Sequence, residues 1–251
     1  MTQGALIFAY NNEEVDYVAM AQWSAKNIER HLGIPTTIIT DNKVEGSNTR
    51  HFADVGTVTW HNLNRMDAYR LSPYDQTLVL DADYVVVSDQ LKTVLDSPAD
   101  FMCHKQAYDV TSLQTFDDLN SFGRNRFPMW WATVMMFRKS KQAELIFDTM
   151  VMIRNNWTHY RNLYSNTRST YRNDHALSIA LNIENGHTLQ TTDIPWQLAS
   201  LTPEHKLSQV GQDSYRVDFT TADKKPRWIT LTQDFHAMGK KHLGDIVANN
   251  S

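Results

Sequence analysis

The 251-residue chain carries 24 basic and 28 acidic residues for a net charge of −4, with 41% apolar and 11% aromatic residues. That length and apolar content suit one large α/β domain, or a domain with a subdomain, with a substantial core, and the charge balance leaves no global electrostatic footprint for nucleic acid. A single cysteine, Cys103, excludes an intramolecular disulfide framework and any multi-cysteine zinc site.

No stretch approaches the ~20 apolar residues that span a bilayer, and the apolar run from Ala5 to Tyr10 has neither a basic flank nor a cleavage site. A cytoplasmic protein is expected. The run itself reads as a buried strand. Asn11, Asn12, Glu13 and Glu14 then supply a polar turn and helix N-cap, and Val15, Val18, Ala19, Ala25, Ile28 and Leu32 follow at near-helical spacing until Gly33. Pro35 opens a second strand, Thr36 to Thr40, so the unit predicts parallel pairing with a right-handed crossover. Tyr10, Asn11 and Asn12 thereby fall at the carboxyl end of the first strand, where open α/β sheets bind ligands. Capping alone also accounts for Asn12. Val55 to Trp60 reads as a third strand.

The stretch from Asn64 to Asp83 predicts a short helix carrying Arg65 and Arg70, a turn at Ser72 to Asp75, a buried strand over Thr77 to Leu80, and then Asp81-Ala82-Asp83. Residues i and i+2 of an extended segment share a face, so both carboxylates should project from the end of that strand. Like charges so placed repel unless a cation sits between them, and two hard oxygen donors suit Mg²⁺ or Mn²⁺ holding a phosphate. An Asp-x-Asp pair equally serves to cap a turn or solubilise a loop. One of the two arginines suits a diphosphate through its planar fork, and the other reads as a solvated surface residue.

Farther on, a helix around Leu91 to Leu95 and a strand around Phe101 continue the α/β pattern, and Asp109 to Arg126 reads as a loop over the site. Pro128 to Phe137 predicts a buried strand, after which Ser140 caps a helix over Lys141 to Arg154. Core packing is the first reading of Trp130 and Trp131, and sugar stacking the second. Between residues 155 and 172, Trp157, Tyr160, Tyr164 and Tyr171 interleave with Arg161, Arg168 and Arg172, a pattern shared by packing helices, sugar platforms and nucleic-acid faces. Asn173 to Leu181 is a capped helix in which Asp174 complements the N-terminus. Gly186 to Ile194 reads as a strand, and Lys206 to Arg227 shows no usable period. The chain then offers a short strand ending at His236, followed by Gly239, Lys240 and Lys241. A lone histidine is commonly not a ligand, but this one suits a nitrogen ligand ahead of a phosphate cradle.

In this order the pieces resemble the GT-A glycosyltransferases, particularly the glycogenin-like and bacterial galactosyltransferase group called family 8. Arg65 matches the family's basic residue near the nucleotide diphosphate, Asp81 the carboxylate on metal and ribose, and Asp83 the main metal ligand. His236 and Gly239 keep the family's His-x-x-Gly-x-x-Lys spacing. Its lysine position is His242 here, which leaves the phosphate to Lys240 or Lys241. The family's Asn-Ala-Gly is Trp131-Ala132-Thr133, and its Asp-Gln or Asp-Glu segment is Asp174-His175.

The resemblance implies a single GT-A (Rossmann-like) α/β domain with a mostly parallel central sheet flanked by helices. Residues 1–104 would form a nucleotide and metal half, and residues 105–251 a sugar and acceptor half. It implies Mn²⁺ or Mg²⁺ on Asp81, Asp83 and His236, and a nucleotide-sugar donor, UDP-sugar foremost, held by Tyr10, Asn11, Asn12, Arg65, Asp81, Gly239, Lys240 and Lys241. Asp174 and Arg65 take the catalytic roles, with hexosyl or pentosyl transfer and, if the family carries over fully, retention at the anomeric carbon. A carbohydrate, a protein or a modified DNA base, as in some phage enzymes, is the expected acceptor; net charge counts against DNA and the arginine-aromatic stretch for it. Two other readings are a sugar-nucleotide nucleotidyltransferase, disfavoured because Tyr10 to Glu14 contains no glycine, and an inactive nucleotide-sugar-binding module.

Overall fold

The computed structural model describes residues 1–40, 49–51, 64–116, 120–165, 170–187 and 193–250. In chain order its strands are β1 (Gln3–Phe8), β2 (Thr36–Thr40), β3 (Thr49–His51), β4 (Gln76–Leu80), β5 (Tyr84–Val85), β6 (Phe101–His104), β7 (Ala107–Asp109), β8 (Ser121–Phe122), β9 (Phe127–Pro128), β10 (Trp131–Arg138), β11 (Leu198–Leu201), β12 (Lys206–Gly211), β13 (Ser214–Thr220), β14 (Pro226–Leu231) and β15 (Phe235–Ala237). The helices are α1 (Tyr17–Leu32), α2 (Ala68–Leu71), α3 (Lys92–Leu95), α4 (Lys141–Asn155), α5 (Trp157–Leu163), α6 (Asn173–Glu184) and α7 (Lys240–Asn249), with a 3₁₀ turn at Arg65–Asp67. The strand expected at residues 55–60 lies outside the described residues, as do Arg168 and residues 188–192 of the strand expected before Ile194.

The central sheet has the order β3-β2-β1-β4-β10-β6. Parallel pairing joins β3, β2, β1 and β4, and β10 alone runs against its neighbours β4 and β6. The continuous apolar run of β1 follows from burial on both faces: Ala5, Ile7 and Ala9 enter a core shared with α1, while Leu6, Phe8 and Tyr10 enter one shared with α4 and α6. Strand β4 divides likewise, Leu78 and Leu80 to the first core and Val79 to the second. Each such side chain contributes about 1.5–3 kcal/mol on burial, so this strand is anchored from both sides. The expected mostly parallel, Rossmann-like sheet flanked by helices is therefore present.

The start of α1 differs from expectation. Its N-cap is Asp16, whose carboxylate accepts from the Ala19 N–H at 2.9 Å. Asn12 instead closes a tight turn by accepting from the Glu14 and Val15 N–H groups, and Asn11 accepts from the Val18 N–H. A carboxylate outranks an amide here because it also complements the helix dipole. The helix ends at Gly33, whose φ of 71° is the left-handed conformation that glycine adopts at no steric cost.

A second sheet, β5-β15-β11-β7, lies beyond the end of β4. A third, β12-β13-β14, is an antiparallel meander where no period was expected. Its signal is faint because only Leu207, Tyr215, Val217 and Leu231 are buried, leaving most of its residues in water. The expected loop between Asp109 and Arg126 contains β8, which pairs antiparallel with β9 just past its end. No described helix is long and apolar enough to cross a membrane.

Candidate functional site

The acid pair follows β4 directly, but a turn rather than the pleat of a strand brings the carboxylates together. The Asp81 N–H donates to the Thr133 carbonyl at 3.0 Å, and the Tyr84 N–H donates back to the Asp81 carbonyl at 3.0 Å, closing residues 81–84. The sheet-edge bond ends β4 at Leu80, so the i, i+2 alternation inferred from sequence stops one residue before the pair begins. Both carboxylates are buried, Asp81 at 8% and Asp83 at 4% exposure.

His236 reaches this pair from the far end of the chain because β15 is zipped onto β5. Phe235 pairs with Val85 and His236 with Tyr84, and the Ala237 N–H donates to the Asp83 carbonyl at 2.9 Å. The imidazole Nε2 lies 3.3 Å from Asp83 Oδ2 and 3.9 Å from Asp81 Oδ2. Asp234 secures the segment: its Oδ1 accepts from the Val87 and Ser88 N–H groups at 2.8 and 2.9 Å and from the Ser88 hydroxyl at 3.0 Å. Burial pushes the Asp234 carboxyl up against the lowering effect of those bonds. Sequence reasoning missed this residue; an acid two positions before the candidate ligand histidine was its only signal.

Ligand atoms of Asp81, Asp83 and His236 all lie within 4.8 Å of one another. Two hard carboxylates and one imidazole at that spacing fit a divalent ion such as Mn²⁺ or Mg²⁺, the nitrogen donor favouring Mn²⁺.

Cations of the chain surround the acids. Arg65, at the start of the 3₁₀ turn, is ion-paired through Nη2 with Asp81 Oδ1 and donates from Nη1 to the Ala132 carbonyl at 3.3 Å. Burial lowers the Arg65 pKa against the raising pull of Asp174 and Asp83. Lys240, the first residue of α7, is ion-paired with Asp83 Oδ2. Burial alone would push the Asp83 carboxyl up, but the Lys240 ammonium and His236 override it and hold Asp83 well below the usual carboxylate range. Tyr17, at the start of α1, faces the same group: burial raises its hydroxyl pKa while Lys240 lowers it.

Gly239 precedes α7 where the backbone passes close to Pro203; a Cβ there would stand 3.3 Å from the Pro203 Cα. Lys241 is exposed, and His242 lines a separate cavity of about 700 Å³ between α1, α7 and β12. Asp174 opens α6, accepting from the Ala132 N–H at 2.9 Å and pairing with Arg172 at 3.3 Å. The Ala132 backbone thus touches both Asp174 and Arg65, its N–H donating to Asp174 and its carbonyl accepting from Arg65. Trp131 is buried in the core with its ring 6.3 Å from Phe116, and His175 packs between Phe122 and Trp157. Tyr10 is buried in the second core, and the side-chain carbonyls of Asn11 and Asn12 are engaged by the α1 entry.

No protein-family model and no curated protein matches the sequence. Among solved structures the chain is similar to the glycosyltransferase GlyE of Streptococcus pneumoniae TIGR4, at 13% identity and a TM-score of 0.48 over 78% of this chain and 46% of that one. It is similar to the galactosyltransferase LgtC in complex with donor and acceptor sugar analogues, at 13% identity and a TM-score of 0.48 over 76% and 72% of the two chains. The bifunctional glycosyltransferase WbbM matches at 16% identity and a TM-score of 0.45, over 77% of this chain and 39% of that one. This chain therefore spans less than half the length of GlyE and of WbbM. All three of those proteins are glycosyltransferases.

Proposed function

We propose that the chain transfers a glycosyl group from a nucleoside-diphosphate sugar, a UDP-sugar foremost, to an acceptor. The observation that carries this reading is the convergence of Asp81, Asp83 and His236, with Lys240 and Arg65 beside them, from segments separated by about 150 residues. Burying two carboxylates costs several kcal/mol per charge, and here the fold draws Arg65 and Lys240 from distant parts of the chain to offset it, a concentration of perturbed ionisable groups that ligand sites favour.

In this reading Asp81, Asp83 and His236 hold Mn²⁺ or Mg²⁺, which when bound supplies Lewis-acid neutralisation of the leaving diphosphate. Arg65 presents a guanidinium fork to the phosphates, and Lys240 rather than Lys241 adds the second cation. Gly239 lets the chain enter α7 so that the helix N-terminus, with its free N–H groups and positive dipole end, faces the same anion. Asp174 orients the sugar or stabilises positive charge at its reacting carbon, steadied by the Ala132 N–H. Residues 1–104 then furnish most of the nucleotide half, and the remainder supplies the sugar side and the returning histidine. A carbohydrate, a protein or a modified DNA base would serve as acceptor. The test is a screen of UDP-, GDP- and dTDP-sugars for Mn²⁺-dependent release of the nucleoside diphosphate, followed by mass spectrometry of candidate acceptors. Metal-dependent release supports the reading. Nucleotide binding indifferent to Mn²⁺ would leave a binding module in its place.

A further inference from the structure

Lys240 sits between two surroundings. On one side its ammonium is paired with Asp83 Oδ2, the oxygen that also faces His236 Nε2. On the other it lines a cavity of about 860 Å³ between the start of α1 and α7, with Glu14, Asp16 and Lys241 also on the wall. Its side chain is 27% exposed, and its four-carbon stem turns readily.

Charge counting gives this placement a consequence. Asp81 is paired with Arg65 and Asp83 with Lys240, so with a neutral imidazole the buried group is balanced by the chain itself. A divalent ion entering alone would leave a net charge of about +2 in a place poorly screened by water. It would also need Asp83 Oδ2 at a metal-ligand distance of roughly 2.0–2.2 Å, where the ammonium cannot remain. A diphosphate arriving with the ion removes both obstacles, since its negative charge offsets the excess and its oxygens accept the released ammonium.

We infer that Lys240 is a resident cation of the metal site: it occupies Asp83 until a divalent ion and a diphosphate bind together, and it then passes from the carboxylate to the phosphate. Metal alone binds weakly, and metal and nucleotide strengthen one another through this exchange. The inference rests on the metal-diphosphate reading proposed above.

The free Mn²⁺ remaining in solution, read from its electron paramagnetic resonance signal, tests it in the full chain, Lys240→Met and Lys241→Met, each with and without UDP. Lys240→Met is expected to bind Mn²⁺ alone about tenfold more tightly than the native chain, and UDP is expected to tighten Mn²⁺ less in that variant. Lys241→Met removes the same charge one residue away without touching Asp83 and is expected to shift Mn²⁺ affinity less than about twofold. If Lys240→Met loses its native circular dichroism, Lys240→Gln takes its place. Equal or weaker Mn²⁺ affinity in a folded Lys240 variant overturns the exchange while metal-dependent UDP binding by the native chain stands. Absence of Mn²⁺ binding by the native chain with UDP, and equally with GDP and dTDP in its place, overturns the exchange and the functional reading together.

Discussion

Two regions drew attention in the sequence, and the fold treats them in opposite ways. The acids near residue 82 and the histidine at 236 are gathered into one buried charged cluster. Among the described residues of the arginine-aromatic stretch, the rings are instead absorbed into packing: Trp157 meets Tyr171 edge-on at 5.4 Å and stacks with His175 at 6.5 Å, and the Arg154 guanidinium covers the Tyr171 ring at 4.7 Å. Rings gain from such contacts without any ligand, by ~0.5–1.5 kcal/mol a pair. Buried carboxylates gain nothing comparable from being held side by side. The difference teaches that charge concentration against its own cost is the better pointer to chemistry, and residue types prized by sugar sites are a poor one.

The largest expected effect lies in the charged region. Asp83→Ala should lower Mn²⁺-dependent turnover of the donor on the order of 10³-fold, read as UDP release, with the fold intact by circular dichroism. Turnover surviving that change would move the active site elsewhere and dissolve the contrast. Asp174 stands between the two regions, and Asp174→Asn decides to which it belongs. The amide keeps an acceptor for the Ala132 N–H but removes the charge, so kcat should drop roughly 100-fold while the melting temperature stays close to native. Loss of stability without loss of kcat would assign the carboxylate to the helix end alone.

A third measurement sharpens the contrast with a buried group that has no charged partner. His104 is fully buried, and burial pushes its pKa down from 6.5 to about 3. The folded ring stays neutral while the unfolded chain takes up the proton near pH 6.5, so stability is complete above about pH 7 and falls as pH drops from 6.5 toward 3. Between pH 7 and 5 this group should cost about 2 kcal/mol in urea unfolding, a slope that His104→Leu removes. The smallest effect belongs to the aromatic region: Trp157→Leu should cost about 1 kcal/mol of stability and leave donor turnover unchanged. A large fall in turnover with the fold preserved would show that the aromatic wall serves the substrate after all.

Much of the frame was readable from residues that act locally. The unit from Ala5 to Thr40, the strand ending at Leu80, and the cap at Ser140 with its bond from the Ala143 N–H follow from apolar spacing and capping chemistry, whereas the helix starting at Asn173 forms without the expected side-chain cap, Arg172 standing at its N-cap position. The cap of α1 and the β12–β14 meander were misread for related reasons. Several polar residues compete for one helix end, and strands with few buried residues show little alternation.

By itself the sequence determined which side chains could serve a metal and a diphosphate, and that two acids would follow the end of β4. Only the tertiary structure decided that Asp81 and Asp83 meet in a turn, that Asp234 and the β5–β15 pairing carry His236 to them, and that Lys240 rather than Lys241 takes Asp83. The reason is physical: hydrogen bonds and burial between near neighbours are written into short stretches, whereas closing a loop of about 150 residues depends on the summed packing of every element between its ends.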